Sequence, residues 1–370
     1  MIPADGPPRA NNGHQAARLE GGATPATTPA GVLLLAFGTA QSPQDVARFL
    51  RSVRHGRPLP DDLVEDYRRR YEVVGGSPII EVTEAQRAAV QQRLDDLHGP
   101  SAFRVVAAMR HSPPWIVDAL AHLRDHGVHD IVAIALAPQQ SRASAAEYEE
   151  EVNSALAQLG WRPTLRFARP WYDRPSFIEA LLARVAPLHA PLRRWHGRQL
   201  RVIATAHSLP RMAIAASPDY PTQVAETAIA LARRLGDDLI NWKVAFQSAV
   251  KPRDRWIGPS LEGTVSAAAQ DGAKHVLVVP VQFLCDHLEV RWDIDVLARA
   301  VADRHHLGWT RPPAIDAAPQ LVDALVQVVH GTAAPPERVP ISVPASLQDH
   351  MGSSARPRQG RSSTTSRGST

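Results

Sequence analysis

The chain has 370 residues, 44% hydrophobic and 21% charged, enough to bury the core of one large or two medium domains. Its formal charge of +4 at pH 7 resides in the last twenty residues, where Arg356, Arg358, Arg361 and Arg367 stand without an acid; the balanced body carries no field that would steer nucleic acid. Cys285 is the only cysteine, which excludes an intramolecular disulfide, a cysteine zinc site and an iron–sulfur cluster held by several thiolates.

Residues 1–30 are rich in Pro, Gly, Ala and Asn without periodicity and read as a disordered tail. Apolar runs then predict strands at 31–37, 103–109, 130–137, 164–169, 199–206, 242–247 and 275–283. Most are nearly continuous in Val, Ile and Leu, as strands buried on both faces of a parallel sheet are. Helical spacing falls between them, at 43–53, 60–73, 115–126, 143–159, 174–187, 221–235, 259–271, 288–304 and 319–330. Thr83-Glu84-Ala85-Gln86 has capping-box spacing and predicts the start of a further helix running to Leu97. Trp195-His196-Gly197-Arg198 reads as a surface connector, and 335–370 as a disordered basic tail. This alternation predicts α/β architecture in two similar halves with parallel sheets, 31–170 and 171–334, meeting near Pro170 to Pro175 with a cleft between them. No apolar run reaches the ~18 residues of a membrane span, and the N-terminus lacks the pattern of a signal peptide, so the expected location is cytoplasmic.

Glycine-rich phosphate loops are missing: Gly38 stands alone after the first strand, which leaves a nucleotide-binding reading without support. The chemistry concentrates instead at two strand ends, where open α/β sheets place their ligands. One is Ala206-His207-Ser208-Leu209-Pro210, in which Pro210 cannot extend a central strand and so leaves His207 at the strand's exit. The other is VPVQFLCDHLEVRWDID, residues 279 to 295, where an apolar strand meets Asp286, His287 and Glu289. A helix N-terminus accounts for Asp286, and Cys285 reads as a small core residue. Asp293 lies four residues beyond Glu289, on the same helix face. A histidine ending an apolar strand is commonly a hydrogen-bonded core residue; His207 with Glu289 also reads as a pair able to move protons and hold a divalent metal.

AHSLP at 206–210 and DHLEV at 286–290, together with LLLAFGT at 33–39, RYEVVGGSP at 70–78 and WIGP at 256–259, make the chain resemble the ferrochelatase family over most of residues 31 to 330. The resemblance implies two Rossmann-like halves with a porphyrin in the cleft between them, and insertion of ferrous iron into that porphyrin during haem synthesis. It implies no organic cofactor and no iron–sulfur cluster, with porphyrin and Fe²⁺ as substrates, and a monomer without an integral membrane segment. His207 and Glu289 would share metal delivery and removal of the pyrrole protons, in an order the sequence leaves open. The chain looks most like the branch that metallates coproporphyrin III, because Arg54, Arg70 and Tyr71 match positions that engage propionates in that branch. Ser77 and Tyr148 match further macrocycle contacts, and His111 a family histidine that lines the cleft or supports the structure. Two positions depart from the pattern. Phe37 replaces a tyrosine able to ligate iron, and Leu297 ends the carboxylate line after Asp293, which argues against an accessory metal site. Protoporphyrin IX as the substrate, cobalt or nickel chelation, and a non-enzymatic porphyrin or haem carrier remain the alternatives at this stage.

Overall fold

The first strand, β1 (Ala30–Ala36), is buried from Val32 onward, as its unbroken aliphatic run predicts. The structure, a computed structural model, describes residues 28–215, 218–249 and 255–331. The expected tails 1–30 and 335–370 lie outside the described residues, apart from 28–30. Three helices follow β1, α1 (Val46–Val53), α2 (Asp61–Val74) and α3 (Ile79–His98). Then come β2 (Phe103–Met109), α4 (Ile116–Asp125), β3 (Asp130–Ala135), α5 (Arg142–Gln158) and β4 (Thr164–Phe167). The four strands form one parallel sheet in the order β2-β1-β3-β4.

The pattern then repeats. After α6 (Pro175–His196) come β5 (Leu200–His207), α7 (Arg211–Ala215), α8 (Asp219–Arg234), β6 (Trp242–Gln247), α9 (Leu261–Gln270) and β7 (His275–Pro280). A π-helix (Val290–Ala298), α10 (Arg299–Arg304), β8 (Gly308–Thr310) and α11 (Pro319–Gly331) complete the described fold. The second sheet has the order β6-β5-β7-β8, again all parallel. In both sheets the first strand pairs with the second on one side and the third on the other. The connections therefore diverge there, at the carboxyl ends where open α/β sheets place their ligands. The sheets share one apolar cluster, which joins Leu34 of β1 and Leu94 of α3 to Leu181 of α6, Val202 of β5 and Leu325 of α11.

Several local expectations are corrected. The long third helix opens at Ile79, directly after Pro78, and Thr83 is buried inside it. The capping-box spacing therefore belongs to a core-facing threonine. The helix expected to stop at Pro187 runs to His196 through Pro187 and Pro191. Asp237 anchors the segment beyond Pro187, accepting from Arg193 Nε at 2.9 Å and pairing with His189 Nε2 at 3.0 Å, which offsets the backbone bonds the prolines remove. Only Gly197–Gln199 is then a connector, a 3₁₀ turn, although Trp195 on the last helical turn is 85% exposed. The helix expected over 288–304 is mostly π-helical, and β8, three residues long, had no sequence signal.

Candidate active site

His207 is the last residue of β5, and its backbone is held from both sides. Its N–H donates to Gln282 Oε1 at 2.9 Å, and Tyr220 Oη donates to its carbonyl at 2.6 Å. Gln282 Nε2 in turn donates to the Gln139 carbonyl at 3.2 Å, and Gln139 Nε2 to Thr227 Oγ1 at 2.8 Å. This buried polar chain links the loop after β3 to α8, to the segment after β7 and to His207. The next residue is fixed as firmly: Ser208 N–H donates to the Gln247 carbonyl at 2.7 Å, and its hydroxyl to the Ile257 carbonyl at 2.7 Å. Ile257 N–H returns to the Leu209 carbonyl at 2.9 Å, so the WIGP run braces the AHSLP turn. On the imidazole, Nδ1 bonds the Ser208 carbonyl. A carbonyl only accepts, so Nδ1 carries a proton and Nε2 is the nitrogen that changes state. It lies 3.6 Å from Glu289 Oε2, with the two side chains 29% and 35% exposed.

Glu289 follows β7, the neighbour of β5, so the pair sits at the point where the second sheet's connections diverge. Its carbonyl accepts from Gln247 Nε2 at 3.3 Å, and its N–H donates to His287 Nδ1 at 3.2 Å. Leu288 packs into a small core with Phe49, Leu50, Val64 and Tyr71, under α1 and α2 of the first half. The π-helix that begins at Val290 has hydrogen bonds reaching five residues along, so a turn takes more than four residues and Glu289 and Asp293 face nearly the same way. Arg311, just past β8, fastens this segment. Its Nη1 donates to Asp286 Oδ1 at 2.7 Å, and its Nε and Nη2 donate to Asp295 at 2.7 and 2.8 Å. Asp286 is thus an ion-pair partner and not a helix cap. Arg291 Nη1 donates to the Val74 and Gly76 carbonyls at 3.3 Å, tying the GGSP loop to the same helix.

The charges are strongly coupled. Burial presses the His207 pKa down, but the Glu289 carboxylate and the bond to Ser208 more than reverse this and raise it to about 9. Burial raises Glu289, and the facing His207 overcomes it, leaving the carboxylate at about 2. At neutral pH the two therefore form an imidazolium–carboxylate pair. Asp293 behaves differently: burial and the Glu289 charge raise it to about 6 although Ser248 Oγ donates to it. Ser248 adopts φ 65°, the left-handed region unfavourable for a residue with a side chain, a departure that clusters at functional sites. Among the described residues no group of three or more His, Cys, Asp or Glu side chains could hold a metal ion. His207 and Glu289 thus offer two donors and leave coordination positions open, which suits a metal that must be passed on.

Of the other expected residues, Arg70 is the one brought to this pair. Its guanidinium lies 5.5 Å from the Trp292 ring and 4.8 Å from the Tyr67 ring, and its charge acts on both Glu289 and Asp293. Tyr71 is a correction: it is 3% exposed, and its hydroxyl meets Thr39 Oγ1 at 2.6 Å and the Ala40 N–H at 3.1 Å. It fixes the turn after β1 and has no free hydroxyl for a propionate. That turn needs Gly38, at φ 91°, because a Cβ there would come within 2.6 Å of Ser112 Oγ. Arg54 caps α1 and donates from Nε to the Pro58 carbonyl at 2.9 Å. Ser77 is half-buried between α2 and α3. Tyr148 is half-buried on α5, packed against the first sheet's core with Arg110 5.9 Å above its ring. Phe37 follows β1 and stays 42% exposed, edge-on to His111 at 4.6 Å. His111 is buried and bonded through Nδ1 to Ser52 Oγ at 3.0 Å; burial, with Arg110 and His55, lowers it to about 3. Sequence reasoning missed Tyr67, Tyr220, Gln282, Ser248 and Arg311. Tyr67 was within reach, three residues before Arg70 on one helix face; the others depend on long-range contacts.

Residues 29–333 match the model of the family described as Ferrochelatase. Over 301 residues the chain is 33% identical to the coproporphyrin III ferrochelatase of Geobacillus sp. (strain WCH70), covering 81% of this chain and 96% of the relative. It is 32% identical to the coproporphyrin III ferrochelatase of Bacillus subtilis (strain 168) over the same shares. The ferrochelatase of Acidobacterium capsulatum is 33% identical over 313 residues, 81% of this chain and 93% of that one. In fold the chain is similar to the sirohydrochlorin chelatase of Bacillus subtilis subspecies spizizenii, solved in complex with cobalt, with a TM-score of 0.51 at 12% identity over 82% of this chain and 95% of that one. Among the described residues no helix is long and apolar enough to cross a membrane. With a histidine and a glutamate facing each other where a chelatase-type sheet opens, and with relatives aligned along nearly their whole length, this chain belongs to the ferrochelatase family and is a metal chelatase.

Proposed function

We propose that the chain inserts ferrous iron into coproporphyrin III, with His207 and Glu289 handling both the metal and the displaced protons. The observation that carries this reading is the 3.6 Å pairing of His207 Nε2 with Glu289 at adjacent strand ends. Metallation removes two pyrrole protons from the macrocycle, and the site must hold Fe²⁺ only until they leave. Imidazole and carboxylate together hold a borderline ion without closing its coordination sphere. His207 must first lose the proton that Glu289 helps it hold, because only the neutral ring ligates metal or accepts a pyrrole proton. Glu289 keeps its charge beside it. Asp293, at about 6, is the next group along the π-helix that exchanges a proton near neutral pH, and Ser248 orients it.

Arg70 and Arg54 supply guanidinium groups for propionates, Ser77 and Tyr148 further polar contacts, and Phe37 an apolar surface for the ring face. Four propionates suit such donors, and the coproporphyrin III ferrochelatases among the relatives support the same substrate. Tyr71 acts through the scaffold. The reaction needs no organic cofactor, and a single cysteine supports the reading without an iron–sulfur cluster. We place the protein in the cytoplasm as a monomer. Anaerobic iron insertion with coproporphyrin III and with protoporphyrin IX tests the assignment: kcat/KM at least about tenfold higher for coproporphyrin III is expected, and equal or better turnover of protoporphyrin IX overturns it.

A further inference from the structure

Away from the site just described, two histidines meet on the seam between the halves. His98 is the last residue of α3, and His330 lies in the last turn of α11. Both are exposed, and they are 232 residues apart in sequence. Their Nε2 atoms lie 2.9 Å apart, with ring centroids at 5.0 Å and planes crossed at 78°. Phe103 lies 5.1 Å from the first ring and 6.5 Å from the second, which limits how far either can turn. The helices are held beneath the pair by Arg93 Nε, which donates to Asp323 Oδ1 at 3.0 Å.

We propose that His98 and His330 form a binding site for a borderline divalent cation such as Zn²⁺. A tetrahedral Zn²⁺ with Zn–N bonds of about 2.0–2.1 Å holds two imidazole nitrogens about 3.3 Å apart, so these two, at 2.9 Å, need to separate only slightly to admit one. The two nitrogens are within hydrogen-bond distance, and a cation would replace the proton of that bond. His98 closes α3, so the negative end of that helix dipole lies beside the point where the cation sits. Paired imidazoles favour Cu²⁺, Ni²⁺ and Zn²⁺ over Mg²⁺ or Ca²⁺, with waters filling the remaining positions. Because α3 leads into the first sheet and α11 closes the described fold, a bound cation cross-links the two halves and stabilises the folded chain alone.

The test uses Zn²⁺ as the probe on the full chain carrying His207→Ala, which removes the imidazole donor of the chelatase site. Thermal unfolding and calorimetric titration are followed near pH 7.5. A Tm that climbs with Zn²⁺ concentration and falls back on chelation is expected, and His98→Gln or His330→Gln should each weaken apparent Zn²⁺ affinity by at least about tenfold. Both positions are exposed and accommodate glutamine, and the metal-free Tm of each variant reports separately on folding. No Zn²⁺-dependent rise in the parent overturns the proposal. So does a rise of the same size in either folded glutamine variant.

Discussion

The two sheets are built to one plan and end in different chemistry. In both, the first strand lies between the second and the third, and the connections diverge at its carboxyl end. At that end β1 is followed by Phe37 and β5 finishes in His207. Each half also has a histidine near a strand end, and their environments move them in opposite directions. His111 is buried beside Arg110 and His55 without a carboxylate partner, and stays neutral down to about 3. His207 faces Glu289 and keeps its proton up to about 9. Topology thus decides where a reactive group can stand, and the neighbouring charge decides whether it can exchange a proton at working pH. In the proposed reading the first half contributes an apolar and cationic wall with Phe37 and Arg70, and the second the metal- and proton-handling groups.

The largest expected effect comes from removing the charge that distinguishes the two histidines. Glu289→Gln should lower kcat for iron insertion by about 10²–10⁴-fold, and the same variant should change how metal binding depends on pH. With its pKa raised from an ordinary 6.5 to about 9, His207 must release a proton to bind metal, so apparent Zn²⁺ affinity should rise roughly tenfold per pH unit from about 7 to 9 and then level off. Glu289→Gln removes the charge that raises the imidazole while burial remains, so the rise should flatten; an unchanged slope breaks the comparison. Stability follows the same signs. The raised His207 contributes fully below 6.5, and this is lost as pH climbs through about 9. The depressed Glu289 contributes fully above 4.5 and is lost as pH falls through about 2. A smaller effect is expected at Tyr220, whose hydroxyl holds the His207 carbonyl. Tyr220→Phe should destabilise the fold by about 1 kcal/mol and lower kcat by only a few-fold, with coproporphyrin KM nearly unchanged.

Much of this site was legible in the sequence because strand ends are local signals. The aliphatic runs ending at Ala36, His207 and Pro280 predicted their strands to within a few residues, and Pro210 marked the exit that exposes His207. The π-helix was not legible. Its buried residues Val290, Trp292 and Ile294 alternate and Ala298 follows four residues later, which makes no clean helical stripe, so a helix was predicted here but not its wider turn. Arg311 was hidden because its partners Asp286 and Asp295 lie 25 and 16 residues away, across an edge strand too short to announce itself. Tyr71 shows the limit of matching positions: its place in RYEVVGGSP pointed to a ligand contact, while its hydroxyl is already taken by Thr39 and Ala40.

The claim that charge environment, and not position alone, makes one of these histidines reactive is tested most directly by a single comparison. His207→Ala and His111→Ala are assayed side by side for anaerobic single-turnover iron insertion into coproporphyrin III, with porphyrin binding measured in both. His207→Ala should lose at least about 10²-fold in rate while still binding the porphyrin, and His111→Ala less than about tenfold. Equal losses, or metallation retained without His207, would contradict the account.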